Sequence, residues 1–286
     1  MTRTSIGFLH PGAMGVSLAA SAIKSGNQVY WCRAGRSQST AERAQANGLV
    51  ELATLQELCD RCSTIVCVCP PAAALDVARQ VVAVGFKGLY VDANAVSPDR
   101  ARQIGALVEG AGIDFVDGGI IGGPAWNANS TWLYLSGPRA SEVASRFAGG
   151  PLETKVIGDE IGKASALKMC FAARTKGTTA LLCAVVAAAD ALGVRDDLER
   201  QWSRHDAGES ERLLDSVRRV TAKAWRFSGE MTEIAATLES AGLPGGFHQS
   251  AHEIYERMAG FKDRDAVPPI DEVIQALNRS QSPGTP

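Results

Sequence analysis

Through the first half of the chain, short continuous apolar runs alternate with stretches whose apolar residues recur at helical spacing. The runs SIGFL, QVYWC, TIVCVC, GLYVDAN, DFVDGGII, TWLYLS and TKVI have the length and the β-branched or aromatic content of buried strands. Helices are expected between them: over residues 13–25, stopped by Gly26; after a capping box made by Ser39 and Glu42; over 72–84; from a Ser97 cap with Pro98 in the first turn; and near 140–147. Strands alternating with helices predict an α/β fold, a mostly parallel doubly wound sheet covered on both faces.

The pattern changes near Gly162. One helical stretch dense in Ala and Leu runs from Lys163 to Leu192, and no clear strand follows it. Further helices are expected over 208–227, 230–241, 248–259 and 269–277. The chain therefore divides into an α/β domain over 1–161, an all-helical domain over 162–278, and a tail over 279–286 whose composition predicts disorder.

The bulk numbers add limits. A length of 286 residues accommodates two domains, and 45% apolar with 21% charged residues supports an ordinary core. A net charge of -2 argues against nucleic acid or an acidic membrane as partner. No uninterrupted apolar run reaches the length of a membrane span, and MTRTSIGFLH is too short and too interrupted for a signal peptide. Seven cysteines, an odd number with several in apolar runs, point to a reduced, cytoplasmic setting. Cys59, Cys62, Cys67 and Cys69 have no histidine near them in sequence. His248 and His252 stand four apart but lack a zinc-protease pattern. No metal is expected at either place.

The chemistry begins at GFLHPGAMG. It follows the first strand and opens the first helix, as a dinucleotide loop must, but His10 stands where G-x-G-x-x-G has its first glycine. Pro11 holds His10 extended, a conformation that needs no glycine. Gly12 lets the backbone approach a pyrophosphate, the amides of Ala13, Met14 and Gly15 point toward it, and Gly15 lets the helix lie close to the sheet. His10 itself either packs beside the loop or helps to hold a phosphate. Cofactors without a ribose phosphate are held by an acid at the end of the second strand. Here Arg33, Arg36 and Ser37 occupy that place and the first acid is Glu42, which favours a 2′-phosphate and hence NADP(H). Asn94, at a strand end on the ligand side of the sheet, is either a cofactor or substrate contact or a turn residue.

Several stretches in order resemble the β-hydroxyacid dehydrogenase family, relatives of 6-phosphogluconate dehydrogenase and the imine reductases. GFLHPGAMG is similar to the cofactor loop; WCR at Trp31–Arg33 to W-N-R; VCPP, with Cys69 and Pro70, to the strand-end L-P. DANAVSP resembles D-x-S-T-x-x-P; VDGGIIGGPA resembles D-A-P-V-S-G-G; and GKASALK resembles the G-x-G-x-x-x-K that opens the interdomain helix. LHPGAMG, DANAVSP, LKMCFAARTKG and LPGGFH look closer still to an uncharacterised branch with its own helical C-terminal domain. The resemblance implies a Rossmann domain joined by a long helix to a helical domain that pairs into a homodimer, with the site in the cleft between domains. It implies that Lys168 is the catalytic lysine and that Gly122 and Gly123 border the substrate.

The departures bear on the substrate. Ile121 replaces the serine of S-G-G; Phe171 and Ala172 replace an Asn pair; Gly229 and Glu230 replace a Lys-Asp pair. Groups that hold a small carboxylate are thus absent, and Trp126, Trp132 and Tyr134 follow the glycine turn, which favours a bulkier or aromatic carbonyl or alcohol. Helical spacing puts Lys168, Phe171, Ala172 and Thr175 on one face, so Thr175 is a candidate polar contact, and His248 a candidate pocket residue. Lys168 serves as general acid in reduction and general base in oxidation. The alternatives are an imine reductase, whose members typically lack this lysine, and an NADPH-binding sensor or scaffold without turnover.

Overall fold

In the computed structural model, which describes residues 4–279, the apolar runs become strands and the periodic stretches helices. The first unit, ending at Met169, contains β1 (Ser5–Phe8), α1 (Ala13–Lys24), β2 (Gln28–Cys32), α2 (Gln38–Ala46), β3 (Val50–Leu52), α3 (Leu55–Arg61), β4 (Thr64–Cys67), α4 (Ala74–Ala83) and β5 (Leu89–Asp92). It continues with α5 (Pro98–Glu109), β6 (Asp114–Gly122), β7 (Thr131–Ser136), α6 (Ala140–Ser145) and β8 (Glu153–Val156).

The eight strands form one sheet in the order β3-β2-β1-β4-β5-β6-β7-β8. All neighbours are parallel except β6 and β7, where Gly119 faces Tyr134 and Ile121 faces Trp132. Successive side chains go to opposite faces. Ile6, Phe8, Trp31, Val66 and Val91 join one core layer, and Tyr30, Ile65, Cys67, Tyr90 and Phe115 the other. Each large apolar side chain buried this way contributes roughly 1.5–3 kcal/mol. From β1 the chain first builds outward through β2 and β3, then returns to β4 on the other side. The order reverses between β1 and β4, so a crevice opens at their carboxyl ends.

Three local expectations are corrected. β3 and α3 are additional: VEL is short and largely exposed, and LQELCDR is only 7 residues long, too short for a period to emerge. The cap of α2 is Ser37, whose hydroxyl accepts the Thr40 N–H at 3.3 Å. In SQST the earliest hydroxyl on extended backbone captures the free amide, two residues before Ser39.

Helix α7 (Lys163–Ala191) begins in the first unit and continues in the second, which starts at Cys170. The division follows Met169 rather than Ile161 because β6 and β7 side chains hold the first turns of α7. By length and composition α7 is, among the described residues, the one helix able to cross a membrane, though the core helix of a soluble protein has the same character. It contains no uninterrupted apolar run of that length, because its polar residues are spread among alanines.

The second unit adds α8 (Arg195–Trp202), α9 (Glu209–Ser240), α10 (Gly246–Arg257) and α11 (Ile270–Asn278). α8 was not expected; it is strongly charged and buries no residue. The two helices expected over 208–227 and 230–241 are one, because Gly229 does not break α9. A glycine costs a helix about 1 kcal/mol, and burial of Ala224, Met231, Ile234 and Ala235 on either side outweighs it. The predicted tail over 280–286 lies outside the described residues.

Candidate functional site

The loop between β1 and α1 has the form its sequence requires. His10 O accepts the Gly12 N–H at 2.8 Å, turning the chain into α1. A Cβ on Gly15 would lie 2.3 Å from His10 O, so only glycine lets the helix pass the strand end. A Cβ on Gly12 meets nothing within 4 Å. The protein's own packing does not demand that glycine; it keeps open the space where a pyrophosphate fits. Gly12 caps α1 without a side-chain bond, leaving the amides of Ala13, Met14 and Gly15 directed at a ligand. His10 is not among the residues of positive φ, so glycine is not needed there, and Pro11 is buried beneath the turn.

At the end of β2 the Arg33 N–H donates to Leu52 O at 2.9 Å, and the Arg33 guanidinium donates to Arg36 O and to Gln38 Oε1. Arg36 Nε is buried without a protein acceptor. Ser37 is engaged as the α2 cap and lies 3.0 Å from the Ser39 and Thr40 hydroxyls. The first carboxylate, Glu42, accepts a bond from Gln38 at 3.2 Å.

A polar cluster occupies the crevice between β1 and β4. Ring nitrogen and thiol donors of His10, Cys67 and Cys69 lie within 4.8 Å of one another. No local pattern announces this, because Cys67 stands 57 positions after His10. Cys67 Sγ is 3.7 Å from Cys69 Sγ and accepts the Asn94 Nδ2–H at 3.4 Å. Asn94 is buried; its Oδ1 accepts the Cys69 N–H at 2.5 Å, and its backbone N–H and Nδ2–H each donate to Asp92 at 3.0 Å. That side chain ties the ends of β4 and β5 together, which limits what it can offer a ligand. The hydrogen bond between the two thiols holds the Cys67 thiol well below its ordinary value against the effect of burial. Cys69 is pushed up by that bond and by burial. Burial and the Cys67 charge hold the Asp92 carboxyl well above the carboxylate range, and burial raises the Tyr90 phenol. Pro70, beyond Cys69, precedes a short 3-10 turn over Pro71–Ala73 as its cap, and its carbonyl lies 3.5 Å from the Cys69 thiol.

Lys168 sits over β6. A Cβ on Gly119 would stand 2.5 Å from Ala164 O and 3.0 Å from Lys168 Cβ, so the strand's glycine admits the helix. The first turn of α7 is capped by side chains of the sheet. Asp117 Oδ2 accepts the Gly162 and Ser165 N–H groups, each at 3.0 Å, and Ser136 Oγ accepts the Ala164 N–H at 3.1 Å. Lys168 is half-buried one turn further on. Tyr134 and Trp132 oppose Gly119 and Ile121 on β7, hence on this same face.

Gly122 has φ +121°, and a Cβ there would strike Ser130 O at 2.3 Å. At Gly123 the space is open, and its carbonyl accepts the Thr131 hydroxyl at 2.7 Å. Ser17 of α1 accepts the Ala125 N–H at 2.9 Å, so the glycine turn is tied to the dinucleotide helix. Trp126, 46% exposed, follows it.

In the second unit, Phe171 is exposed and the Thr175 hydroxyl donates back to Phe171 O at 3.1 Å. His248 is buried; its Nε2 lies 3.2 Å from Ala173 O and its Nδ1 has no partner. His252 Nδ1 instead lies 3.0 Å from Ser228 O, so the two histidines serve different contacts. Lys176 and Glu230 form a buried ion pair, with Lys176 4.3 Å from the Phe227 ring centroid. Tyr255 donates to Lys176 O at 2.7 Å. The sequence marked Glu230 only as a departure from Lys-Asp; its partner lies 54 residues away, out of reach of any local pattern.

Residues 5–145 match the NAD binding domain of 6-phosphogluconate dehydrogenase, and residues 189–258 match a domain of unknown function (DUF1932). An uncharacterized 28.5 kDa protein of Methanothermus fervidus is 32% identical over 195 residues, 68% of this chain and 74% of that protein. A conserved protein of unknown function, described as structurally similar to 3-hydroxyacid dehydrogenases, is 28% identical, with a TM-score of 0.65 over 90% of this chain and 97% of that one. The fold is also that of 3-hydroxyisobutyrate dehydrogenase of Mycobacterium tuberculosis, 19% identical, TM-score 0.68, over 97% of this chain and 100% of that one. With a cofactor loop and switch point of this form and an NAD binding domain of the 6-phosphogluconate dehydrogenase kind, the chain belongs with the Methanothermus fervidus protein to a β-hydroxyacid dehydrogenase-like family.

Proposed function

We propose that the protein is an NADP(H)-dependent oxidoreductase acting on a carbonyl or hydroxyl carbon, with Lys168 as general acid and base. The observation that carries this reading is the combination, in one unit, of a cradle left open at Gly12 and a half-buried lysine seated over Gly119. Arg33 and Arg36, with no acid before Glu42, support the 2′-phosphate form of the cofactor. When bound, the nicotinamide supplies or receives the hydride. The protein's own part is positional. The α1 amides bind the pyrophosphate, and Lys168 Nζ donates a proton to the substrate oxygen in reduction or takes it in oxidation.

Within the first unit, Ile121 offers no polar group beside the glycine turn, and Trp126 is exposed there. A bulkier or aromatic substrate fits these residues. Imine reduction is the second reading, favoured by the same apolar replacement and opposed by Lys168. A homodimer through the helical unit is supported by exposed Leu181, Val185, Leu192 and Val194, and a cytoplasmic setting by the seven free cysteines.

The test is turnover of a panel of aromatic ketones, aldehydes, alcohols and cyclic imines with NADPH or NADP+, by the wild type and by Lys168→Ala. The reading predicts carbonyl or alcohol turnover that falls by about 10²–10⁴-fold in the variant, with NADPH binding retained. Imine turnover indifferent to the substitution would replace this reading with the second. No turnover on any class would favour a non-catalytic NADPH-binding role.

A further inference from the structure

We propose that His10, Cys67 and Cys69 form a binding site for a thiophilic d10 cation, with Zn2+ as its representative, at the switch point of the sheet.

The fold delivers the three donors to one place from two strands. His10 follows β1, Cys67 ends β4 and Cys69 lies just beyond it; these are the two strands that flank the reversal. Cys67 and Cys69 are two apart on extended chain, so their side chains share a face. Their sulfurs are 3.7 Å apart. Two thiolates at about 2.3 Å from a tetrahedral zinc are separated by about 3.8 Å, so the pair already has the spacing that a shared ion imposes. The histidine donor completes the trio within 4.8 Å.

A second observation points the same way. His10 Nδ1 and Tyr90 Oη are buried without a nitrogen or oxygen partner, and both turn to the Cys67 sulfur. Tyr90 is completely buried, and its hydroxyl lies beside Cys67. Buried polar atoms are normally hydrogen-bonded, and two of them gathered on one sulfur mark a polar place at the end of β4. The surroundings also suit an ion. The Asn94 amide donates to Cys67 Sγ at 3.4 Å, as supporting groups do for metal-bound thiolates, and the Asp92 carboxyl lies behind it. Two thiols that lose their protons to solvent on binding neutralise a divalent charge. Three protein donors leave a fourth position free, and His10 and Cys69 are half-exposed, so solvent or a small ligand can reach it.

Because His10 opens the dinucleotide loop, an ion here fixes that loop to β4. Metal and cofactor affinities are then linked. This consequence alone rests on the proposed cofactor reading; metal binding does not.

The test uses the full chain, reduced and freed of metal, titrated with Zn2+ against a chromogenic chelator and separately with Co2+ in the absorption spectrometer. The proposal predicts one Zn2+ per chain and a cobalt spectrum with tetrahedral d–d bands and thiolate charge transfer. Cys69→Ser and His10→Asn should each weaken Zn2+ binding by at least the roughly 100-fold that loss of a mere supporting group can cost. Cys170→Ser, at an exposed cysteine, should change nothing. His10 is half-exposed in a loop, so His10→Asn keeps the test valid if a cysteine variant misfolds, with circular dichroism as the check. Absence of stoichiometric binding, or binding that survives both Cys69→Ser and His10→Asn, would overturn the site. Either result is independent of whether NADPH binds.

Discussion

The Ser165 hydroxyl donates to Asp117 Oδ1 at 2.6 Å, and through this bond β6 holds the start of the helix that carries Lys168. The opening amides of α7 are satisfied here by two residues of the sheet, Asp117 and Ser136, which is a stiffer support than solvent. Ser136 also donates to Asp117 Oδ2, at 3.0 Å, so the carboxylate is the hub. Ser165 and Lys168 are three apart, one turn of the same helix. Asp117→Ala leaves several buried donors without an acceptor and should destabilise the first unit by about 2–4 kcal/mol, at 1–3 kcal/mol per orphaned group with some relaxation. Asp117→Asn should lose less. Chemical denaturation checks both, and an unaltered midpoint in Asp117→Ala would show that the hub carries no load.

The two glycines of the cofactor loop should separate cleanly. Gly12→Ala places a methyl group in open space, so it should leave unfolding within about 1 kcal/mol of wild type, as for a cap residue. It should nevertheless weaken dinucleotide binding at least tenfold, about 1.4 kcal/mol. Gly15→Ala drives a methyl group against His10 O and should instead destabilise the fold. Melting curves beside cofactor titrations read both effects. Normal cofactor binding by Gly12→Ala would mean that the open space is not where the pyrophosphate lies.

Much of this was legible in the sequence. Buried parallel strands read as apolar runs because both faces are covered, and Ser97–Pro98 announced α5, with Ser97 Oγ accepting the Arg100 N–H at 3.4 Å. What escaped was either too short to show a period, as β3 and α3, or held by distant partners. α9 runs through Gly229 because its packing outweighs a local preference. The Asp117 cap and the Lys176–Glu230 pair each join residues about 50 apart (165 − 117 = 48; 230 − 176 = 54). The meeting of His10 with Cys67 and Cys69 depends on strand order, which no local pattern encodes.

Arg33 and Arg36 are expected to select the cofactor. Arg33→Ala and Arg36→Ala should each weaken NADPH binding by about 10–100-fold, the 1.5–3 kcal/mol of a bond to a charged group, and leave NADH within about threefold. Equal losses for both cofactors would assign these arginines to the fold. Arg33 has the larger structural share, since its guanidinium already donates to Arg36 O.

The Lys176–Glu230 pair is buried among α7, α9 and α10 side chains of the second unit. Glu230→Ala removes a carboxylate from a largely buried ammonium and should destabilise the second unit by up to about 3–5 kcal/mol. Lys176→Met combined with Glu230→Leu removes both charges and should recover most of that loss. Calorimetric melting of the three proteins tests the coupling; equal losses in single and double variants would deny it.

The central claim is that the loop from His10 to Gly15 holds NADP(H). Titration of the full chain with NADPH and with NADH, followed by quenching of its own tryptophan fluorescence, tests it most directly. The account predicts saturable binding of NADPH at least tenfold tighter than NADH, about 1.4 kcal/mol. Tighter binding of NADH would contradict the role of Arg33 and Arg36, and binding of neither would contradict the cofactor site itself.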